Sequence, residues 1–187
     1  MSKRRKSQVK PQNNSWAILI LGLLFAGGLI LISIWGAMSQ LTNDAAASKD
    51  VTLGTPLQVA APTRMLGDVN ALPRGAVSHV DVVYFHRTQR CTACLNAGNY
   101  SRETVAAYFA SHLQRGVMSF RQLNVEFPEN AVVTRKYDAS GSSLYLGVLM
   151  NGVEYLCPID DIWFYTNNKT SFMTFLQKTL TPLVGGL

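Results

Sequence analysis

The chain is poor in cysteine, with only three among its 187 residues. Four Cys or His ligands at regular spacing would indicate a structural zinc centre, and this sequence has no such pattern. Two of the cysteines, Cys91 and Cys94, form a CxxC motif, while Cys157 stands alone. The sulfur chemistry of the chain therefore depends on one closely spaced pair.

Acidic residues are absent from positions 1–15, although the whole chain has a formal net charge of +6. Five of the 17 basic residues lie in this tail, and the other 12 are nearly balanced by the 11 acidic residues. Because the basic excess belongs to the tail, the rest of the sequence does not predict a phosphate-binding face. We therefore expect no nucleic-acid partner.

Charge of either sign is missing from residues 16–38, WAILILGLLFAGGLILISIWGAM. A helix of this length spans about 30 Å of hydrocarbon. Trp16 and Trp35 lie near its ends, where indole rings favour the membrane interface. The apolar core of a cleavable signal peptide is usually about 7–15 residues long, so this run is too long for that alternative. We expect a retained, single transmembrane helix.

The charges around this span predict its orientation. Basic residues on the amino-terminal side place residues 1–15 in the cytoplasm by the positive-inside rule. The protein is then expected in the plasma (inner) membrane, with its carboxyl-terminal domain extracytoplasmic or periplasmic. Residues 39–78 are rich in small residues and proline and predict a flexible linker. Within it, Val51–Leu53 and Leu57–Ala60 are candidates for an edge strand.

Residues 79–187 have the pattern of an α/β domain. The apolar, β-branched and aromatic run from Val80 to His86 predicts a strand buried on both faces. A helix follows the cysteines, and Asn96, Gly98 and Asn99 predict a break within it. The further elements predicted are a strand at 118–127, a short helix at 129–137, strands at 142–150 and 153–157 joined by an Asn-Gly turn, and a helix ending before Pro182.

The predicted order from residue 79 is β-α-β-α-β-β-α, with the CxxC motif at the first strand–helix junction. A CxxC motif within a βαβ pattern is typical of thioredoxin-like redox domains. We therefore expect a thioredoxin-like domain carried on a single N-terminal transmembrane helix.

The stretch from Tyr84 to Cys94, YFHRTQRCTAC, resembles the YFHRTxRCxTC stretch of small membrane-anchored proteins of the thioredoxin-like ArsF-type family. The segments 124–126 (NVE) and 128–130 (PEN) are also similar, and the resemblance covers residues 79–181. It implies that Cys91 and Cys94 are the redox pair, with His86 and Arg90 as their local framework. Ala93 departs from the threonine of the family pattern. The family name refers to a nitroreductase subunit, but no flavin or substrate motif supports that activity here, and we expect no cofactor.

Proline is absent between Pro128 and Pro158. Thioredoxins usually carry a cis-proline just before the third strand, beside the disulfide, and Ser142–Ser143 occupies that place here. A cis bond before a residue other than proline costs about 2.5–4 kcal/mol, so we expect a trans bond. The metal exclusion and the groove shape that this proline normally provides are left open.

The position of each cysteine suggests its role. Cys91 is expected at an exposed helix start with Arg90 adjacent and Arg87 nearby, and both charges favour its thiolate. Cys94, one turn further in, would resolve the mixed disulfide with an unidentified thiol or disulfide protein partner. A structural bridge is the alternative, but closing so short a loop constrains the chain little.

Other functions remain open at this stage. Cys91 and Cys94, with either His86 or Cys157, would suit a soft ion such as Cu(I) or Zn(II). A scaffold that keeps the fold without the chemistry is a further alternative. The histidine at 86 is otherwise expected to be hydrogen-bonded at a strand end, Cys157 to be a small buried apolar residue, and His79 and His112 to lie at the surface.

Overall fold

The computed structural model describes residues 49–57 and 60–187. The predicted tail at 1–15 and the predicted transmembrane helix at 16–38 lie outside these residues, as does the first part of the predicted linker. Among the residues described, no helix is both long and apolar enough to cross a bilayer.

A mixed sheet of six strands forms the centre of the described part. Its spatial order is β1-β4-β3-β5-β6-β2. The central strand β3 pairs in parallel with β4 and antiparallel with β5, and β6 pairs antiparallel with β5. The strand bounds are β1 Val51–Gly54, β2 Thr63–Met65, β3 Val77–His86, β4 Met118–Asn124, β5 Ser143–Met150 and β6 Val153–Pro158.

In the described ranges, four α-helices complete the mixed α/β fold, and three 3-10 helices connect elements. From β3 onward the order of strands and helices is the predicted one, except that the first helix is followed at once by a second, short helix. The α-helices are α1 Thr92–Tyr108, α2 Ala110–Gln114, α3 Ala131–Lys136 and α4 Lys169–Val184. The 3-10 helices are Val69–Ala71, Pro128–Asn130 and Asp160–Tyr165.

Both edges of the sheet come from the region that the sequence assigns to a linker. Strand β1 pairs antiparallel with β4, and β2 pairs in parallel with β6. The candidate edge strand at Val51–Leu53 is therefore present, while 57–60 includes two residues outside the described range. The folded unit consequently begins before residue 79. Periodicity did not reveal β2 because its three residues are all exposed, and β1 has only four residues.

The two faces of the sheet bury different sets of side chains. On one face, Val80, Val82 and Tyr84 of β3 belong to the larger apolar core, together with residues of α1 and α4. On the other face, Val83 and Phe85 form a smaller cluster that includes Tyr137, just after α3. This two-sided burial confirms the prediction made from the apolar run in β3.

Helix α1 is continuous, so the predicted break at residues 96–99 is wrong. Gly98 stays in the helix because α1 approaches β3 closely at this point. A Cβ atom at position 98 would lie 2.8 Å from Tyr84 Cε1 and 3.0 Å from Gln122 Oε1. The chain bends instead at Phe109, whose φ of −125° separates α1 from α2. The glycine therefore serves helix–sheet packing rather than a kink.

The predicted hairpin turn is present, whereas the predicted end of the last helix is wrong. The hairpin at Asn151–Gly152 is confirmed, and φ angles of 51° and 75° give both residues the left-handed backbone of a type I′ turn. Helix α4 passes the predicted end before Pro182 and continues to Val184. The proline lies in the last turn of the helix.

We expect Gly98→Ala to lower the free energy of unfolding by about 1–3 kcal/mol, because the added methyl group overpacks the α1–β3 contact. Gly67→Ala is the matched control, since a Cβ atom there meets nothing within 4 Å. Urea unfolding of both variants measures the difference. Equal stability of the two variants would contradict the close-approach explanation.

Candidate functional site

The CxxC motif lies at the amino end of α1, and Cys91 and Cys94 form a disulfide. Their Cα atoms are 5.1 Å apart. Cys91 is the N-cap residue and is exposed, whereas Cys94 is half-buried one turn into the helix. The geometry expected from the spacing is therefore present, with the first sulfur facing outward.

A backbone donor serves the outer sulfur. The Cys94 N–H donates to Cys91 Sγ, with 3.1 Å between nitrogen and sulfur. At a helix start, this donor and the helix dipole stabilise a negative charge on that sulfur once the disulfide is reduced. The arrangement can therefore accept attack at the accessible Cys91 sulfur, and it can hold Cys91 as a thiolate once the pair is reduced.

Tyr84 supports the inner end of the motif from the strand below. Its hydroxyl donates to the Cys94 carbonyl oxygen at 2.6 Å, and its side chain is fully buried. Burial raises the pKa of Tyr84 to about 12, against smaller opposite effects of Ser142 and Arg90. The hydroxyl therefore stays protonated and remains a donor at neutral pH. Sequence reasoning missed this role, because Tyr84 was read only as part of an apolar strand.

His86 lies two residues further along β3 and is fully buried. Its ring nitrogen Nδ1 donates to the Arg87 carbonyl oxygen at 2.9 Å, which leaves Nε2 with a lone pair and no partner among the described residues. The ring stacks on Tyr84 with centroids 6.4 Å apart. The structure thus places His86 beside the residue that anchors Cys94.

Several charges surround this imidazole. Burial lowers the pKa of His86, and the positive charge of Arg90 acts in the same direction. The hydrogen bond to Arg87 and the carboxylates of Asp50 and Glu126 act to raise the pKa, but burial prevails. His86 is consequently neutral at pH 7.

The two arginines before the motif have different surroundings. Arg87 is exposed, and its Nη2 and Nε donate to the Ser140 carbonyl oxygen at 2.9 and 3.2 Å. Arg90 is half-buried, its Nε has no partner in the described part of the chain, and burial lowers its pKa. Arg87 therefore holds the loop in place, while Arg90 supplies the charge close to Tyr84 and His86.

Side chains from the end of β4 hold the loop from its other side. The Thr88 N–H donates to Glu126 Oε2 at 3.0 Å, and the Asn124 side-chain amide donates to Thr88 Oγ1 at 2.9 Å. The Glu126 N–H in turn donates to Asn124 Oδ1 at 2.9 Å. Asn124 and Glu126 belong to the NVE segment of the sequence resemblance, and that resemblance was the only signal in the sequence that pointed to them.

The Ser142–Ser143 segment leads into β5 near this site. No cis peptide bond occurs in the described residues, so its bond is trans as expected. Ser142 lies close enough to the Tyr84 hydroxyl to lower its pKa. The segment is therefore linked to Cys94 through Tyr84.

Cys157 lies in the larger apolar core, away from the exposed Cys91 sulfur. It is fully buried on β6, opposite Leu146 of β5, and burial raises the pKa of its thiol to about 11. It is thus a protonated, buried apolar residue, as the sequence predicted. Within the described ranges, no three His, Cys, Asp or Glu side chains are grouped so that they could hold a metal ion. The alternative ligand set of Cys91, Cys94 and His86 or Cys157 is therefore not assembled in this structure.

The prediction that His79 lies at the surface is wrong. The residue is only 6% exposed, and its Nε2 lies 2.9 Å from Asp81 Oδ1. Asp81 is a buried carboxylate on the same face of β3, so it needs polar partners, and His79 provides one. His112 is half-buried, with its ring 5.9 Å from that of Phe109.

Comparison of the chain with protein-family models, with curated proteins and with solved structures found no match. The functional argument therefore comes from the chain's own residues. Its central elements are the exposed Cys91 sulfur, its backbone donor and the side chains that hold the surrounding loop.

The buried imidazole predicts a pH dependence of stability. Because the folded pKa of His86 lies below the ordinary value of about 6.5, the unfolded chain binds a proton that the folded protein excludes. The free energy of unfolding should therefore fall as the pH decreases from about 6.5 towards the folded pKa. We expect His86→Gln to lose less stability than the wild-type chain between pH 7 and pH 5 in urea unfolding.

His112→Gln is the matched control for this measurement, because it removes a histidine that lies outside the dithiol site. It should retain the pH dependence of the wild-type chain. The assignment of the effect to His86 is refuted if wild type and His86→Gln lose equal stability over this pH range.

Proposed function

We propose that the protein is a membrane-anchored, extracytoplasmic thiol–disulfide oxidoreductase or electron carrier that acts through the Cys91–Cys94 dithiol/disulfide. One observation carries the proposal: a disulfide at a helix start has an exposed outer sulfur with a backbone N–H donor and a half-buried inner sulfur. This asymmetry suits an exchange reaction in which one sulfur meets the partner and the other completes the cycle.

A thioredoxin-like fold is part of the proposal. It is supported by the element order from β3 onward and by the placement of the dithiol at the first strand–helix junction. The parallel β3–β4 pair, flanked by the antiparallel β5–β6 hairpin, is compatible with it. The sequence resemblance to ArsF-type proteins supports the same reading.

The exchange transfers two electrons between the partner and the protein in two steps. A thiolate of the protein partner attacks Cys91 Sγ, the Cys91–Cys94 bond breaks, and Cys94 leaves as a thiolate that takes up a proton. A second partner thiolate then attacks the partner sulfur of the mixed disulfide, so that Cys91 leaves as a thiolate. The partner loses two electrons and gains a disulfide, and the protein gains the dithiol. The reverse sequence reduces a partner.

A purely structural bridge explains the arrangement less well. Closing a loop between residues three apart removes little entropy from the unfolded chain, so the bond adds little stability. A structural bridge also has no need for an exposed sulfur with a dedicated donor. The metal-binding alternative is supported by no specific contact, because neither candidate third ligand, His86 or Cys157, is grouped with the two cysteines into a possible metal site within the described residues.

The extracytoplasmic location rests on the sequence of the tail and the apolar segment at 16–38. Disulfides persist in oxidising compartments, whereas cysteine thiols are kept reduced in the cytosol. A dithiol that exchanges with exported proteins therefore belongs on the outer side of the membrane, which is where the basic tail predicts residues 39–187 to be.

Replacement of the inner cysteine tests the exchange reaction. In cells expressing the full chain, Cys94→Ala should accumulate mixed disulfides through Cys91, because no resolving thiol remains to release the partner. Non-reducing electrophoresis followed by mass spectrometry measures these species. Cys91→Ala should trap at least about tenfold less, since the remaining sulfur is half-buried.

Cys157→Ala is the matched control and should resolve its partners like the wild-type chain. Trapping that is absent with Cys94→Ala, or equally strong with Cys91→Ala, would refute the assigned roles.

The location has a separate test. In intact cells treated with a membrane-impermeant reductant, a membrane-impermeant maleimide should label Cys91 of the Cys157→Ala chain without permeabilisation, because the domain faces outward. Labelling that appears only after lysis would place the domain in the cytoplasm. That result would remove the compartment from the proposal and leave the thiol chemistry standing.

A further inference from the structure

We infer that Asp50 is a positioning residue of the dithiol: the segment that leads into β1 closes the loop that presents Cys91. The inference deepens the proposed function and rests on it. It concerns a residue 41 positions before Cys91 in a region that the sequence assigns to a linker.

The half-buried carboxylate of Asp50 joins two asparagines. Its Oδ1 accepts from the Asn124 backbone N–H at 2.8 Å, and its Oδ2 accepts from the Asn130 side-chain amide at 2.7 Å. The Asn130 amide also donates to the Asn124 carbonyl oxygen at 2.9 Å. Both asparagines are buried, with 0% and 7% of their surface exposed. Asp50 is therefore built into a buried polar network and is not a solvated tether residue.

The same network reaches the active-site loop. Asn124 donates through its side-chain amide to Thr88 Oγ1, and its neighbour Glu126 accepts from the Thr88 N–H. Asn124 is also the register partner of His86, the last residue of β3. A path of two hydrogen bonds and one residue thus connects Asp50 to Thr88, three positions before Cys91.

The position of Asp50 explains why a carboxylate is needed. The β1–β4 ladder ends with Val51 opposite Gln122, so β1 offers no backbone acceptor to the Asn124 N–H. The Asp50 side chain takes the place of the missing backbone acceptor. Without it, the Asn124 N–H would lose its acceptor and the Asn130 amide would lose one of its two. Such buried donors are costly to leave unpaired.

A looser loop would affect the chemistry at Cys91. The donor bond from the Cys94 N–H to Cys91 Sγ requires the N-cap residue to stay in place at the start of α1. We call the hydrogen bonds of Asp50 to Asn124 and Asn130 the Asp50 clasp. Loss of this clasp lets the loop at 87–90 move. The movement weakens the bond from the Cys94 N–H to Cys91 Sγ on average and so destabilises the Cys91 thiolate. Asp50 also contributes a negative charge that acts on His86 within the same site.

The test uses the full chain with Cys94→Ala and Cys157→Ala, so that Cys91 is the only thiol. The rate of alkylation is measured against pH. Adding Asp50→Ala should raise the apparent pKa of Cys91 by about half a unit, which slows alkylation about threefold at a pH well below that pKa.

Asp68→Ala is a matched control, because Asp68 also accepts from a backbone N–H and an asparagine amide, both of Asn70, outside the dithiol loop. It should leave the profile unchanged.

A paired substitution tests the clasp itself. In Asp50→Asn, the new amide faces the Asn130 amide, so two donors meet and the profile should shift as in Asp50→Ala. Adding Asn130→Asp restores the donor–acceptor pair between positions 50 and 130, while the bond to the Asn124 carbonyl oxygen is lost, so the shift should be recovered in part. This pair keeps the volume of both side chains, so it gives a result even if Asp50→Ala fails to fold.

The outcomes separate the two proposals. An unchanged alkylation profile in Asp50→Asn, with or without lower stability, overturns the positioning role. A shifted profile that the paired substitution does not recover also overturns the clasp. If the profiles behave as expected but Cys94→Ala traps no partner in cells, the proposed function fails and the positioning of Cys91 by Asp50 stands.

Discussion

The close approach of α1 to β3 is the constraint on which the site depends. Only a residue without a side chain fits at position 98, because Tyr84 and Gln122 already occupy the space that a Cβ atom would need. This proximity brings the Tyr84 hydroxyl to the Cys94 carbonyl oxygen. Strand β3 thereby fixes the position of the first turn of α1, and Cys91 lies at the start of that turn. The position of the outer sulfur is a consequence of helix–sheet packing.

The loop between β3 and α1 is held from two sides. Arg87 binds the Ser140 carbonyl before β5, and Thr88 binds the side chains of Asn124, the last residue of β4, and of Glu126. His86 lies beneath with one nitrogen bonded to the loop. These hydrogen bonds hold the loop in place and preorganise the exposed sulfur. The proposed exchange reaction would benefit from a helix-end donor that is already in place.

Much of the fold could be predicted because the central elements carry strong local signals. The buried run of β3 and the Asn-Gly turn between β5 and β6 were recognised from residue types alone. Edge strand β1 was recognised only as a candidate at Val51–Leu53, and β2 was not recognised, since it is three exposed residues whose pairing with β6 is decided by the free edge of that strand. The burial of His79 was missed for a related reason. Its partner Asp81 is a carboxylate that the sheet buries, and the periodicity of apolar residues does not predict a buried pair of polar side chains.

The sequence by itself determined the dithiol, its place after a buried strand, and the separation of a basic tail and an apolar span from the rest. These are local properties, because spacing, hydropathy and turn residues act over a few positions. Only the tertiary structure decided which distant residues hold the loop that presents Cys91. Asp50, Asn124 and Asn130 meet because β1 and β4 are neighbours in the sheet, and that neighbourhood is set by packing and hydrogen bonding across the whole domain.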